Sequence, residues 1–310
     1  MKLDKAIRRL IVGATLAATG IFSPLSSAGV YEDGLAAYQS GDHQKAIGLF
    51  FALAQQGDAT AEFNIGVMYQ NGQGVARDEK EAAAWYRKAA EMGHTNAQNN
   101  LAALYESGQG VSQSNVEAAE LYHQAAEQGL PRAQYNLALM YASGRGVVQD
   151  YNQAVKWYRK AAEQGRTAAQ NNLGALYEGG LGVTRDDMEA AKWYRKAAEQ
   201  GDDRAQYNLG MIYTKGGVVA QDYQEAAKWL QAAANQGSAQ AQLALGRLYE
   251  DGQGVRQNLS EAIKWWQKAI MTADEDSSDE GQDARTQASA NLDRHHLQVS
   301  VLGSNLTAMK

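Results

Sequence analysis

Apolar positions along this chain fall into two helical stretches that recur together every 36 residues. The segment from Ala169 to Arg204, AQNNLGALYEGGLGVTRDDMEAAKWYRKAAEQGDDR, shows the pattern most plainly. Ala169, Leu173, Leu176 and Tyr177 stand at helical spacing, and so do Ala190, Trp193, Tyr194, Ala197 and Ala198 after a break at Gly180-Leu181-Gly182-Val183. Each half therefore predicts one helix with a single apolar face. Equivalent copies begin at Ala61, Ala97, Ala133, Ala205 and Ala241. A fixed period of about 20 to 50 residues marks an array in which each unit is one supersecondary element.

Polar punctuation fixes the helix ends. Asp78/Glu81, Ser114/Glu117, Asp150/Gln153, Asp186/Glu189, Asp222/Glu225 and Asn258/Glu261 each have the spacing of a capping box at the start of the second helix. Gly57, Gly93, Gly129, Gly165, Gly201 and Gly237 stand where a left-handed residue ends a helix. The unit is thus expected to be an antiparallel helix pair with a glycine-bearing turn. Three copies depart from the pattern: Leu121 replaces the recurrent Trp, Val218 replaces the second turn glycine, and Ala244 replaces the recurrent Asn. Val218 predicts a locally different turn in the fifth copy.

The ends are less regular. Residues 29–60 form a shorter unit, with Ala37, Tyr38, Gly41-Asp42, Ala46, Phe50 and Ala54 in place of the full pattern. It is similar to a tetratricopeptide repeat, and terminal repeats are commonly atypical because one face has no neighbour. Residues 277–310 are expected to hold an acidic linker, a capping helix over about Gln282 to Leu297, and a loose tail from Val299.

The motifs A-x-x-N-L-G-x-x-Y, G-x-G-V and D-x-x-E-A-A-x-W-Y-x-K-A-A-E-Q-G run through residues 61–276. They resemble the Sel-1-like repeat family, a branch of the tetratricopeptide superfamily. The resemblance implies an all-α, right-handed superhelical solenoid of tandem helix pairs with a concave groove. It also implies a non-enzymatic adaptor that binds other proteins or peptides and needs no cofactor. Bacterial members are often exported and serve envelope regulation, secretion, motility or host contact.

The first residues bear on location. Lys2, Lys5, Arg8 and Arg9 precede an apolar stretch from Leu10 to Phe22, followed by Ser26-Ser27-Ala28. This reads as a secretory signal, residues 1–28, cleaved after Ala28, and it predicts a periplasmic or secreted protein with no stable membrane insertion. With no Cys anywhere, packing alone must hold the chain, although an exported compartment would permit disulfides. The formal charge is −6, and removing residues 1–28 leaves −9. No basic stripe is visible, so nucleic acid is not an expected partner. Arg159-Lys160 and Arg195-Lys196, followed by Glu163 and Glu199, read as a mixed, solvated outer face.

Little in the chain suggests reaction chemistry. The glycine turns follow helices rather than strands, unlike phosphate loops. His43, His94, His123, His295 and His296 have no metal-ligand spacing, and His295-His296 reads as a solvated pair. Without a nucleophile elbow or a Ser-x-x-Lys pair, a cell-wall or β-lactam hydrolase is only a minor alternative. Trp85, Trp157, Trp193, Trp229, Trp265 and Trp266 read as framework, each packing on its own first helix and on the next unit.

Binding has better candidates. Asn64, Asn100, Asn136, Asn172 and Asn208 recur at one position of the first helix. An amide there could bond a peptide backbone, or equally could fix the spacing of the helices. One residue before it stand Phe63, Asn99, Tyr135, Asn171, Tyr207 and Leu243; three after it stand Val67, Ala103, Leu139, Ala175, Met211 and Arg247. This variable face points to specificity residues Tyr135, Leu139, Tyr207, Met211 and Arg247, with Glu106, Glu178 and Glu250 as an acidic rim. The partner is a protein or peptide, either in the envelope or in a host.

Overall fold

The computed structural model describes residues 27–275 and 278–308. Ser27 and Ala28, the last two residues of the expected signal, 1–28, open the first helix, while its residues 1–26 lie outside the described residues. Among them there are fifteen helices and no strands: α1 Ser27–Gln39, α2 His43–Ala54, α3 Ala59–Asn71, α4 Glu79–Glu91, α5 Thr95–Ser107, α6 Asn115–Glu127, α7 Pro131–Ser143, α8 Tyr151–Glu163, α9 Thr167–Gly179, α10 Asp187–Glu199, α11 Asp203–Lys215, α12 Tyr223–Asn235, α13 Ala239–Asp251, α14 Leu259–Glu275 and α15 Asp279–Ala308. Consecutive helices pack in tandem pairs, an all-α solenoid. Two compact units make up the chain, the first ending at Asp150 and the second starting at Tyr151.

Helix starts follow the polar signals, with one correction. Asp78, Ser114, Asp186, Asp222 and Asn258 each accept a hydrogen bond from a first-turn N–H of the second helix. The return arm of the capping box is absent, because the cap N–H already has a partner. In all six copies it donates to a tyrosine carbonyl at the end of the first helix, as Asp186 does to Tyr177 at 3.0 Å. Glu189, Glu225 and Glu261 pair instead with Lys192, Lys228 and Lys264, one turn along the same helix.

Helix ends follow glycine. Gly201, at φ 90°, stops α10 after 13 residues. Its counterpart after α14 is Ala273, and α14 accordingly continues to Glu275, 17 residues in all. The fifth turn does differ: Gly217 lies at φ 115°, and Val218 is exposed. At the C-terminus, α15 begins at Asp279 inside the expected linker and continues to Ala308 through the expected tail.

The core runs between copies as well as within them. One cluster joins Ala82, Tyr86 and Ala89 of α4 to Ala97, Leu101 and Leu104 of α5. Another joins Ala226 and Leu230 of α12 to Ala241, Leu245 and Leu248 of α13. A pair in isolation would leave these faces wet, so neighbouring copies hold one another folded. The tryptophans are framework, but half of their expected packing is reversed. Trp85 packs against the cluster that includes Ile65 and Met68 of its own first helix, and edge-on to Phe51 of the preceding pair, centroids 5.4 Å apart. Trp229 and Trp265 likewise face the preceding second helix. The next residue along, about 100° around the helix, serves the other side. Tyr86, Tyr194 and Trp266 lie over Gly66, Gly174 and Gly246 of their own first helices.

The outer face is less loosely solvated than its charges suggested. Lys88, Lys160, Lys196 and Lys268 lie over the rings of Trp85, Trp157, Trp193 and Trp265, about 4 Å from the centroid. Arg87, Arg159 and Arg195 donate to the hydroxyls of Tyr105, Tyr177 and Tyr213.

Candidate protein-binding face

The recurrent asparagines sit on the first helices, half-buried, each with an internal partner. In the first unit, Asn64 Nδ2 donates to Tyr31 Oη at 3.4 Å. Asn100 Oδ1 accepts from Arg132 Nη2 at 3.3 Å, and Asn100 and Asn136 lie beside the hydroxyls of Tyr86 and Tyr122 in the preceding second helices, where they favour the ionised phenol. In the second unit, Asn172 Nδ2 donates to Tyr158 Oη at 3.1 Å, and Asn208 Nδ2 donates to Asn171 Oδ1 at 3.1 Å. Tyr86, Tyr122 and Tyr194 pass their own protons on to Gln70, Glu106 and Glu178. Burial, above all, raises the Tyr86 hydroxyl to about 12 and moves those of Tyr122 and Tyr194 higher still. They therefore remain donors at any ordinary pH.

One copy shows the pairing in the sequence, although Asn64 is kept after Phe50 and bonds Tyr31 instead. Where Leu230 replaces the tyrosine and offers no hydroxyl, the next copy carries Ala244 instead of Asn. Where Trp266 replaces it, Asn291 of α15 stands in register, and its buried Nδ2 has no partner. An indole offers no acceptor to that amide.

The variable face divides in two. Asn99, Asn171 and Leu243, one residue before the ladder position, are buried, and Phe63 stacks on His94 with centroids 4.7 Å apart. Tyr135 and Tyr207 at this position are half-buried, Tyr207 against the α12–α13 core. Burial raises the Tyr207 hydroxyl, with Glu280 pushing the same way and Arg247 opposing. This position faces the next copy and is largely consumed by packing. The position three residues after the ladder is more open. Ala103, Ala175, Met211 and Arg247 are exposed there, and Val67 and Leu139 half-exposed. Arg247 is partly engaged, donating to Gln287 of α15 at 2.7 Å.

The acidic rim is not free charge. Glu106 pairs with Arg145 at 2.7 Å and receives the Tyr122 hydroxyl. Glu250 pairs with Arg294 at 2.7 Å and with His295 at 2.8 Å. His295 is thereby removed from solvent, stacking on Trp266 at an interplanar angle of 17°. The α15 helix brings both partners to the end of α13, and the side chain of His296 lies outside the described residues.

A second ladder escaped the sequence reading. Gln98, Gln134, Gln170, Gln206 and Gln242 are buried, and each Nε2 donates to an alanine carbonyl eight residues earlier, in the last turn of the preceding helix. Gln128, Gln200 and Gln236 donate in turn to the Oε1 of Gln98, Gln170 and Gln206, each at 2.8 Å. The signal was the Gln after the opening Ala of five copies, which looks like a surface residue until its burial is known. Gln206→Leu, which strands the Ala198 carbonyl, should cost about 2 kcal/mol in chemical denaturation, while Gln236 keeps its bond to the Gly201 carbonyl.

Among the described residues, no group of three His, Asp or Glu side chains could hold a metal ion. No described helix is long and apolar enough to cross a membrane. The Sel1 repeat model matches residues 28–58, 59–94, 95–130, 131–165, 167–202, 203–238 and 239–271. The chain belongs to the Sel1 repeat family. An Escherichia coli protein of known structure, described as a protective antigen of uropathogenic strains with an SLR fold, is 31% identical at a TM-score of 0.77. That match covers 94% of this chain and 65% of the other, so this Sel1 repeat protein spans about two thirds of that relative's length. A Sel1 repeat protein from Oxalobacter formigenes is 32% identical at a TM-score of 0.68, covering 77% of this chain and 96% of that one. No curated protein matches the chain. Sel1 repeats are typically scaffolds for protein–protein interaction.

Proposed function

We propose that this Sel1 repeat protein is a non-enzymatic adaptor of the bacterial cell envelope, holding a segment of another protein against its first helices. One observation carries the reading. Side chains that vary between copies stay exposed or half-exposed three residues after the ladder positions, whereas most of the recurring polar side chains around them bond internally. A framework held constant beneath a changing surface is what a binding array requires. The basic and apolar leader supports export.

Leu139 in the first unit and Met211 in the second are the residues on which this reading depends. Residues 29–310 should be immobilised and exposed to an envelope extract, with Leu139→Glu and Met211→Glu variants alongside. A charge placed against an apolar partner costs several kcal/mol, so retention should fall at least about tenfold in one variant or the other. Equal retention by all three forms would remove the first-helix face from the account. A second reading places the partner in a host. Its support is the relative described as a protective antigen, and a stable extracellular pool of this protein would favour it.

A further inference from the structure

The first full copy breaks the glutamine ladder. Glu62 stands in the register of Gln98 and Gln134, only 7% exposed. Its Oε2 is buried with no hydrogen-bond partner. Eight residues earlier is Ala54, the last residue of α2, whose carbonyl corresponds to those that Gln98, Gln134, Gln170, Gln206 and Gln242 engage. An ionised carboxylate offers no proton to that carbonyl. It would also oppose the negative end of the α2 dipole. The second ladder partner is missing as well, because Met92 occupies the register of Gln128, Gln200 and Gln236. A protonated carboxyl, by contrast, places an O–H where the ladder places an N–H.

We propose that Glu62 is a proton-operated latch between the first two helix pairs. Protonated, it donates to the Ala54 carbonyl and holds α2 against α3. Ionised, it loses that bond and loosens the docking of α1 and α2. Burial, first of all, raises the Glu62 carboxyl above its ordinary range; Lys88 on α4 opposes, while Asp58 at the start of α3 and Glu91 on α4 add to the rise. His94 stands at the start of α5, where burial lowers its proton affinity and its Nδ1 accepts from the Ala97 N–H. From α2, His43 and Lys45 lie at the end opposite Ala54. Because the folded state favours the protonated form, the latch is fully closed below the ordinary carboxyl range. Its stabilisation is lost as pH rises through the elevated value.

Hydrogen exchange of the α2 amides, residues 43–54, tests this directly in the full chain and in Glu62→Gln, from pH 4 to 8. Glutamine restores the donor at every pH. The two proteins should therefore match at the acid end, and the wild type should fall behind about tenfold or more at the neutral end. Changes at His94 are common to both and cancel. Adding Met92→Gln to Glu62→Gln rebuilds the second partner and should slow exchange further. A ratio independent of pH, or a wild type better protected at neutral pH, overturns the latch. So does a Glu62 carboxyl that titrates by NMR in the ordinary range.

Discussion

Alanine at Gly110 destabilises the protein by about 3 kcal/mol, against about 1 kcal/mol for alanine at Gly93. Both glycines lie at positive φ, 70° and 83°, so both substitutions carry the left-handed strain of an L residue. They differ in what a methyl would meet. At Gly93 there is nothing within 4 Å, whereas at Gly110 the new carbon falls 2.1 Å from the Glu79 carbonyl oxygen. That oxygen belongs to the first residue of α4, a backbone atom that cannot swing aside. The same approach recurs at Gly74, Gly146, Gly182 and Gly254, each against the first residue of the preceding copy's second helix. The turn is therefore a clamp between copies, and the clamp requires glycine. Urea denaturation of the two variants measures the difference; equal losses would reduce the turn to local geometry.

Trp266→Ala removes the anchor of the C-terminal helix and costs about 4 kcal/mol. Trp266 is fully buried among Ala262, Ala269, Ala273, Ala284 and Ala288. Its Nε1 donates to the Leu243 carbonyl at 3.3 Å, and its ring carries His295. Alanines make up most of the buried set around it and have little reach into the space, so the cavity term stays large. With the indole gone, α15 also loses its stacking contact, and its amides should exchange faster than those of α13. Trp85→Ala, at a half-buried ring, should cost about half as much. A Trp266→Ala protein with unchanged α15 protection would show that the Glu250 pairs alone hold that helix.

Much of this was legible in the sequence, for a physical reason. A 36-residue period averages local noise over six copies, so Asp186 as a cap, Gly201 as a stop and Val218 as a disturbed turn could each be placed. What escaped depended on which neighbour a side chain meets. Glu189 has the spacing of a capping box, but the cap N–H had already been claimed by the Tyr177 carbonyl. Trp85 and Tyr86 are adjacent in sequence, and nothing in their spacing says which faces the preceding copy. Gln98 carries no burial signal of its own, because Gln is usually solvated. Glu250 looked like a free rim charge because Arg294 and His295 are 44 and 45 residues away. Pair relations of this kind show in one sequence only where both members change together, as Leu230 and Ala244 do.

The ladder asparagine and the variable residue beside it separate framework from recognition, and one paired measurement does so most directly. Asn136→Ala and Leu139→Glu lie one turn apart on α7, and each can be scored for both thermal stability and retention of the captured partner. Asn136→Ala should lower the melting temperature by a few degrees, for about 1 kcal/mol lost with its contact to the Tyr122 hydroxyl, and leave retention unchanged. Leu139→Glu should do the reverse, keeping its melting temperature and losing the partner. Retention abolished by Asn136→Ala at full stability, with Leu139→Glu binding normally, would contradict the account and place recognition in the asparagine ladder itself.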